Sequence, residues 1–165
     1  MKRPAKKFAL GTLAVSVIWI LFEQLMGYNS TRLDIGQYTN QFPIIFFSIM
    51  VVVTIYYKRR GHGNTLTFAE GFKAGLIMSL IYSVGFTIVI ILYQKFLNPD
   101  MYQLMKDFRT AHTSPEKLPD ALKEVEMIYG GTFKSYLMLF LFSFGWGIGI
   151  SAIATSLLLK KPKAA

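Results

Sequence analysis

The sequence predicts an all-α integral membrane protein, a bundle of four transmembrane helices with two short amphipathic helices between spans three and four. Composition gives the first reason. Charged residues make up 16% of the 165 positions, against about 25% in a soluble domain, and 53% are hydrophobic. The second is that apolar residues collect into four long runs instead of recurring at helical or strand period. The third is that cations gather at alternate ends of those runs. Mean hydropathy is +0.40. This balance argues against a soluble enzyme, a disordered regulator or a nucleic-acid-binding module, and the length fits one domain over 1–165. Without cysteine there is no disulfide framework, thiolate nucleophile or Cys-based zinc site.

The spans fall at about 8–27, 40–57, 71–94 and 133–159. A bilayer core of about 30 Å takes about 20 apolar residues as a helix. Runs one, three and four meet that, and the second borrows Tyr38 to Gln41 to reach the interface. Continuous apolar runs exclude the alternation of a membrane barrel, and only helices and barrels satisfy every backbone group in hydrocarbon. The first run is too long for a secretory signal core and no small-x-small cleavage site follows, so it reads as a retained span.

Orientation follows from the charges. Lys2, Arg3, Lys6 and Lys7 precede span one, Lys58, Arg59 and Arg60 follow span two, and Lys160, Lys161 and Lys163 follow span four. These ten cations sit in acid-free patches, and they account for the whole net charge of +9 because the other eight Lys/Arg are outweighed by nine Asp/Glu. The positive-inside rule then places both termini in the cytoplasm. Tyr28, Tyr38, Tyr93, Tyr129 and Tyr136 mark one interface and Tyr56 and Tyr57 the other.

Local signals refine the joints. Pro43 suits the first turn of span two, where its missing N–H costs nothing. Thr67-Phe68-Ala69-Glu70 is a capping box opening span three. Residues 98–131 form an extracytoplasmic helical insert. It starts with Asn98 as N-cap, Pro99 in the first turn and Asp100 placed for the helix dipole. Met101, Leu104, Met105 and Phe108 share one face, Leu118, Leu122, Val125 and Ile128 another, and Gly130-Gly131 ends the segment. Two such helices can lie on the bilayer surface, fold over the bundle or dock a partner. The surface-lying connector is the plainest of these.

Few residues are candidates for chemistry. Glu23 is the only acid inside a predicted span, which makes it a candidate ion or proton site, with Lys95 and Lys134 at the outer ends of spans three and four as its partners. Its ordinary explanation is a carboxyl one turn, about 6 Å, from the interface, reaching water. Glu70 and Lys73 would make a gate pair in a transporter, but the capping box and a snorkelling lysine account for them. His62 and His112 are isolated on opposite sides of the membrane, so no metal site and no cofactor is expected. There is no phosphate loop and no nucleophile elbow. No catalytic residue is expected.

Small residues form the clearest pattern. Gly71, Gly75, Ser79, Ser83 and Thr87 recur every fourth residue in span three, a stripe that drifts about 40° per step. Span four carries Gly145, Gly147 and Gly149, with Gly147, Ser151 and Thr155 at the same spacing. Such stripes let helix backbones approach closely, within a bundle or between protomers.

The basic start, the segment Thr67-Phe68-Ala69-Glu70-Gly71-Phe72-Lys73-Ala74-Gly75, Asn98-Pro99-Asp100, the charged helical insert and the glycine-rich last span ending in lysines together resemble a family. It is the four-span membrane family of Bacteroidota catalogued as domain of unknown function 4199, and the resemblance covers essentially the whole chain. It implies a bacterial inner-membrane protein with the insert in the periplasm, and it brings no catalytic residues. It also implies a membrane-protein partner such as a lipid-linked glycosyltransferase. The residues themselves support two functions, a non-enzymatic accessory or scaffold subunit of a membrane complex, or a small oligomeric transporter or channel using Glu23. The expected contacts are the lipid bilayer and a membrane-protein partner or a second copy, with no nucleic acid.

Overall fold

A computed structural model describes residues 4–159. The elements in order are α1 (Pro4–Leu25), α2 (Leu33–Thr39), α3 (Phe42–Gly61), α4 (Phe68–Leu92), a π-wound turn (Tyr93–Leu97), α5 (Met101–His112), α6 (Leu118–Tyr129) and α7 (Phe133–Leu158). The described residues contain no strand. Four segments are long and apolar enough to cross a membrane: Pro4–Leu25, Leu33–Gly61, Phe68–Leu97 and Phe133–Leu158. The second of these joins α2 to α3 across Asn40 and Gln41, which supplies the length the second apolar run lacks.

α3 and α4 each pack against α1, against α7 and against each other, whereas α1 and α7 sit at opposite corners. The bundle therefore has a short α3–α4 diagonal. One end carries the α3–α4 turn with Lys58, Arg59 and Arg60 and is called here the basic end. The other carries α2, α5 and α6 and is the cap end. Lys2, Arg3, Lys160, Lys161 and Lys163 lie outside the described residues.

The tightest joint is α4 against α7. A Cβ added at Gly75 would stand 2.3 Å from Ser151 Oγ and 2.7 Å from its Cβ. One at Gly147 would stand 2.5 Å from Ser79 Cβ and 2.8 Å from Phe47 Cζ, and one at Gly71 2.7 Å from Thr155 Cγ2. Gly71, Gly75, Ser79 and Ser83 of α4 and Gly147, Ser151 and Thr155 of α7 are all buried. This is the backbone approach that small-xxx-small patterns permit, and it supplies dispersion contact where lipid removes the hydrophobic drive.

Gly145 and Gly149, expected to pack within the bundle or between protomers, take no part in this contact. Both are exposed, and an added Cβ at either meets nothing within 4 Å. The reason is geometric: successive residues turn 100° about a helix, so positions two apart are 200° apart and cannot share a face with Gly147.

The basic half is filled by Ala9, Phe47, Val51, Ile55, Met78 and Tyr82, with Tyr82 stacked between Phe47 at 4.2 Å and Phe86 at 5.4 Å. Buried hydroxyls there are mostly satisfied locally: Thr12 donates to the Phe8 carbonyl, Thr54 to that of Met50, and Ser16 pairs with the Tyr82 hydroxyl at 3.0 Å. The cap half has its own apolar cluster. Ile20, Leu33 and Tyr93 of the bundle bury Met101, Met105 and Val125 of α5 and α6. The insert thus folds over the end of the bundle, which replaces the expectation of a surface-lying connector. Its first helix starts at Met101 with Asp100 in the N-cap position, so Asn98 is not the cap that the Asn98-Pro99-Asp100 pattern promised. Pro43 and the Thr67–Glu70 capping box stand where the sequence put them.

Gly75→Ala and Gly147→Ala should each destabilise the bundle by about 1–3 kcal/mol, the usual cost of overpacking. Gly145→Ala should stay within about 0.5 kcal/mol. Thermal unfolding of the purified chain in one detergent checks all three.

Candidate functional site

The polar interior of the cap end is assembled from three chain reversals. α1 ends in a Schellman turn: Tyr28 N–H donates to the Glu23 carbonyl at 2.9 Å and Gly27 N–H to that of Gln24 at 3.2 Å. Gly27 makes this possible with φ +73°, a left-handed conformation that costs an L side chain free energy. The turn sends the chain back over Glu23 and Gln24, so that Asn29 is buried beside them. Trp19 then ties α1 to α2, donating from Nε1 to the Thr39 carbonyl at 3.2 Å and stacking on Phe42 at 4.1 Å.

The third reversal is the π turn. Asn98 N–H closes a five-residue step onto the Tyr93 carbonyl at 2.9 Å. That winding turns Tyr93 and Asn98 inward together. The Tyr93 hydroxyl donates to Gln24 Oε1 in a short bond. The Asn98 amide reaches the Asn29 carbonyl at 2.8 Å and the Tyr93 hydroxyl at 3.2 Å, with a longer contact to Gln24 Oε1 at 3.4 Å. Asn98 therefore pins α4, α1 and the α1–α2 link in one place.

Glu23 lies inside this arrangement and is only 1% exposed. The expectation that its head reaches water from near the interface is corrected by the Schellman turn and the cap, which enclose it. Donor groups of Thr39, Trp19 and Asn29 surround the carboxyl, yet Oε1 has no hydrogen-bond partner among the described residues. Asn29 Oδ1, Gln94 Oε1 and Arg109 Nε are also buried and unpartnered. An unsatisfied buried polar atom costs about 1–3 kcal/mol, and the Ser79, Ser83 and Thr155 hydroxyls along the α4–α7 contact are in the same state.

Lys95 and Lys134 do not take part. Both are exposed, and neither forms an ion pair with Glu23. Arg109 of α5 acts on Tyr129 of α6 as a nearby positive charge. Burial pushes the Tyr129 hydroxyl pKa up; Arg109 opposes this, and the carboxylates of Glu124 and Glu23 add to it. Arg109 continues the buried Met101–Met105 spacing of α5 by one more step of four, so the periodicity that marks the apolar face also reaches this cation.

At the basic end Glu70 takes the Thr67 N–H at 3.1 Å in the capping box and approaches His62 Nδ1 at 3.5 Å. Lys73 is exposed and makes no pair with Glu70. No group of three His, Cys, Asp or Glu able to hold a metal is found among the described residues.

Residues 7–161 match the family described as "Protein of unknown function (DUF4199)". The chain belongs to this family. No curated protein and no solved structure matches it. For this DUF4199 protein, function has therefore to be read from the bundle, the cap and the buried cluster between them.

Asn98→Ala removes the amide that joins three segments and leaves their acceptors buried. It should loosen the cap by about 1–3 kcal/mol. Hydrogen exchange should quicken in 101–129 while Val51, Ile55 and Met78 in the basic half keep their protection.

Proposed function

We propose that this DUF4199 protein is a non-enzymatic accessory or scaffold subunit of a membrane complex in the bacterial inner membrane, with both termini cytoplasmic. One observation carries the reading. α7 has two small-residue faces. Gly147, Ser151 and Thr155 are used up against α4, while Gly145 and Gly149 floor an open groove walled by Leu141, Trp146 and Ile153. Trp146 is held in position by its Nε1 bond to Ser48 Oγ at 2.9 Å, so the wall is fixed from within the bundle. A rigid groove with a glycine floor on a lipid-facing helix is suited to a second transmembrane helix, of a partner or of another copy. The family resemblance offers a lipid-linked glycosyltransferase as one such partner.

Orientation rests on the positive-inside pattern, with Lys58, Arg59 and Arg60 ending α3 at the basic end and the cap end carrying mixed charge. The inner membrane is favoured because the spans are apolar helices, whereas outer-membrane spans are built as barrels. The cap is then periplasmic.

The second reading is a small oligomeric transporter or channel, and the observation favouring it is Glu23, an enclosed carboxyl with an unpartnered oxygen.

The two readings separate cleanly. Gly149→Leu should leave the melting temperature unchanged and strip the co-purifying membrane protein, or the second copy, from the chain isolated from native membranes. Retention of a stoichiometric companion by Gly149→Leu removes the accessory reading. Glu23→Gln should leave assembly intact; if it instead abolishes a pH-dependent flux seen with the wild type in proteoliposomes, transport takes its place.

A further inference from the structure

Where the α4–α7 contact ends, the bundle opens. Toward the cap end α7 presents Leu139 and Met138 instead of glycine and serine, and a cavity of about 650 Å³ lies between α3, α4 and α7. Half-buried Ile44 and Phe86 form its open floor, over Phe47 and Tyr82 which are 0% and 2% exposed, and Tyr129 with Met127 of α6 form its roof. Its mouth lies at Met138, Leu141 and Phe142, which are exposed on the outer face of α7. Leu141 and Phe142 separate it from the glycine groove, so the two sites are distinct and the inference does not depend on the groove.

The polar groups of the cavity are not spread evenly. Asn40, Gln41 and Tyr129 line its cap end, and none of their side chains hydrogen-bonds to another described residue. Below them the lining is apolar apart from the Tyr82 and Ser143 hydroxyls, which are already engaged with Ser16 and with the Phe140 carbonyl. From Asn40 to Phe47 along α3 is about 10 Å at 1.5 Å per residue. The site thus runs from unengaged hydrogen-bonding groups at the membrane surface to an apolar floor within the hydrocarbon. A mainly apolar pocket with a few convergent polar groups is the general form of a small-molecule site. The medium at its mouth is lipid, and no charged side chain lines it.

We propose that this cavity binds one acyl chain of a membrane glycerolipid. The chain enters between Met138 and Phe142 and lies on Ile44 and Phe86. The ester and glycerol oxygens accept hydrogen bonds from Tyr129 and from the amides of Asn40 and Gln41. Because the lining is uncharged, the site selects for the chain and its ester linkage and not for headgroup charge.

The test reconstitutes the full-length chain in phosphatidylethanolamine and phosphatidylglycerol vesicles. A small fraction of either lipid carries a diazirine midway along one acyl chain, and photolabelled residues are mapped by mass spectrometry. Ile44 and Phe86 should be labelled at least tenfold above Ile81, which is also half-buried but outside the cavity. Labelling should be equal with the two headgroups. Ser143→Phe, which fills the cavity, should cut that labelling at least tenfold and leave Ile153 on the outer face of α7 unchanged. Cavity labelling no greater than at Ile81 overturns the proposal from the wild type alone, whether or not Ser143→Phe folds. Labelling by the anionic probe only overturns the assignment of the polar end to ester oxygens.

Discussion

The architecture depends on how closely α4 and α7 approach. Lipid tails are as apolar as leucine, so transmembrane helices gain nothing from hiding hydrophobic surface and must gain from contact. Here the gain is collected along Gly71, Gly75 and Ser79 against Thr155, Ser151 and Gly147, where added Cβ atoms would collide. Small residues make the approach possible because they remove the side chains that would hold the backbones apart. The contact also fixes what lies beyond it. Once the stripe gives way to Leu139 and Met138, the helices have to separate, and the space they leave is floored by Ile44 and Phe86 and roofed by α6. Cavity and cap follow from where the small residues stop.

At the other end the organising element is polar. α5 and α6 are too short to be stable alone and owe their helicity to the apolar face they bury on Ile20, Leu33 and Tyr93. Their position is set by the π turn and Asn98, which hold three segments through one amide. A π turn breaks the helical register and re-aims the residues within it. Without it, Tyr93 and Asn98 would not both face Gln24, and the chain could not both close over Glu23 and continue into α5.

The sequence made the spans legible because a continuous apolar run of such length has few other uses in a folded chain. It also made the α4 stripe legible, since a period of four on one helix is a face. It was less informative where the fold depends on turning. Gly145, Gly147 and Gly149 read as one glycine-rich patch, yet a helix places alternate residues on opposite sides, and only Gly147 meets α4. Asn98-Pro99-Asp100 has the composition of a helix start, but the five-residue step at Tyr93 carries no periodic signature, so Asn98's place under the cap was hidden. Lys95 and Lys134 match Glu23 only in depth along the spans. Depth does not fix which way a side chain faces, and both point outward. The enclosure of Glu23 needed the Schellman turn and the cap together, and neither is local to it.

Tyr129 joins the two features of the cap end. Its ring packs with the cluster that seats α5 and α6, the residue also lines the cavity, and its titration feels Arg109 and Glu23. A ligand that accepts a hydrogen bond from Tyr129 is therefore bound by the residue that helps hold the cap shut. Linkage then works in both directions: whatever occupies the cavity in the closed form stabilises the cap, and whatever loosens the cap weakens the occupant. Glu23 acts on the same tyrosine, with an unpartnered buried oxygen whose cost, about 1–3 kcal/mol, the packing of α5 and α6 on Ile20, Leu33 and Tyr93 has to offset.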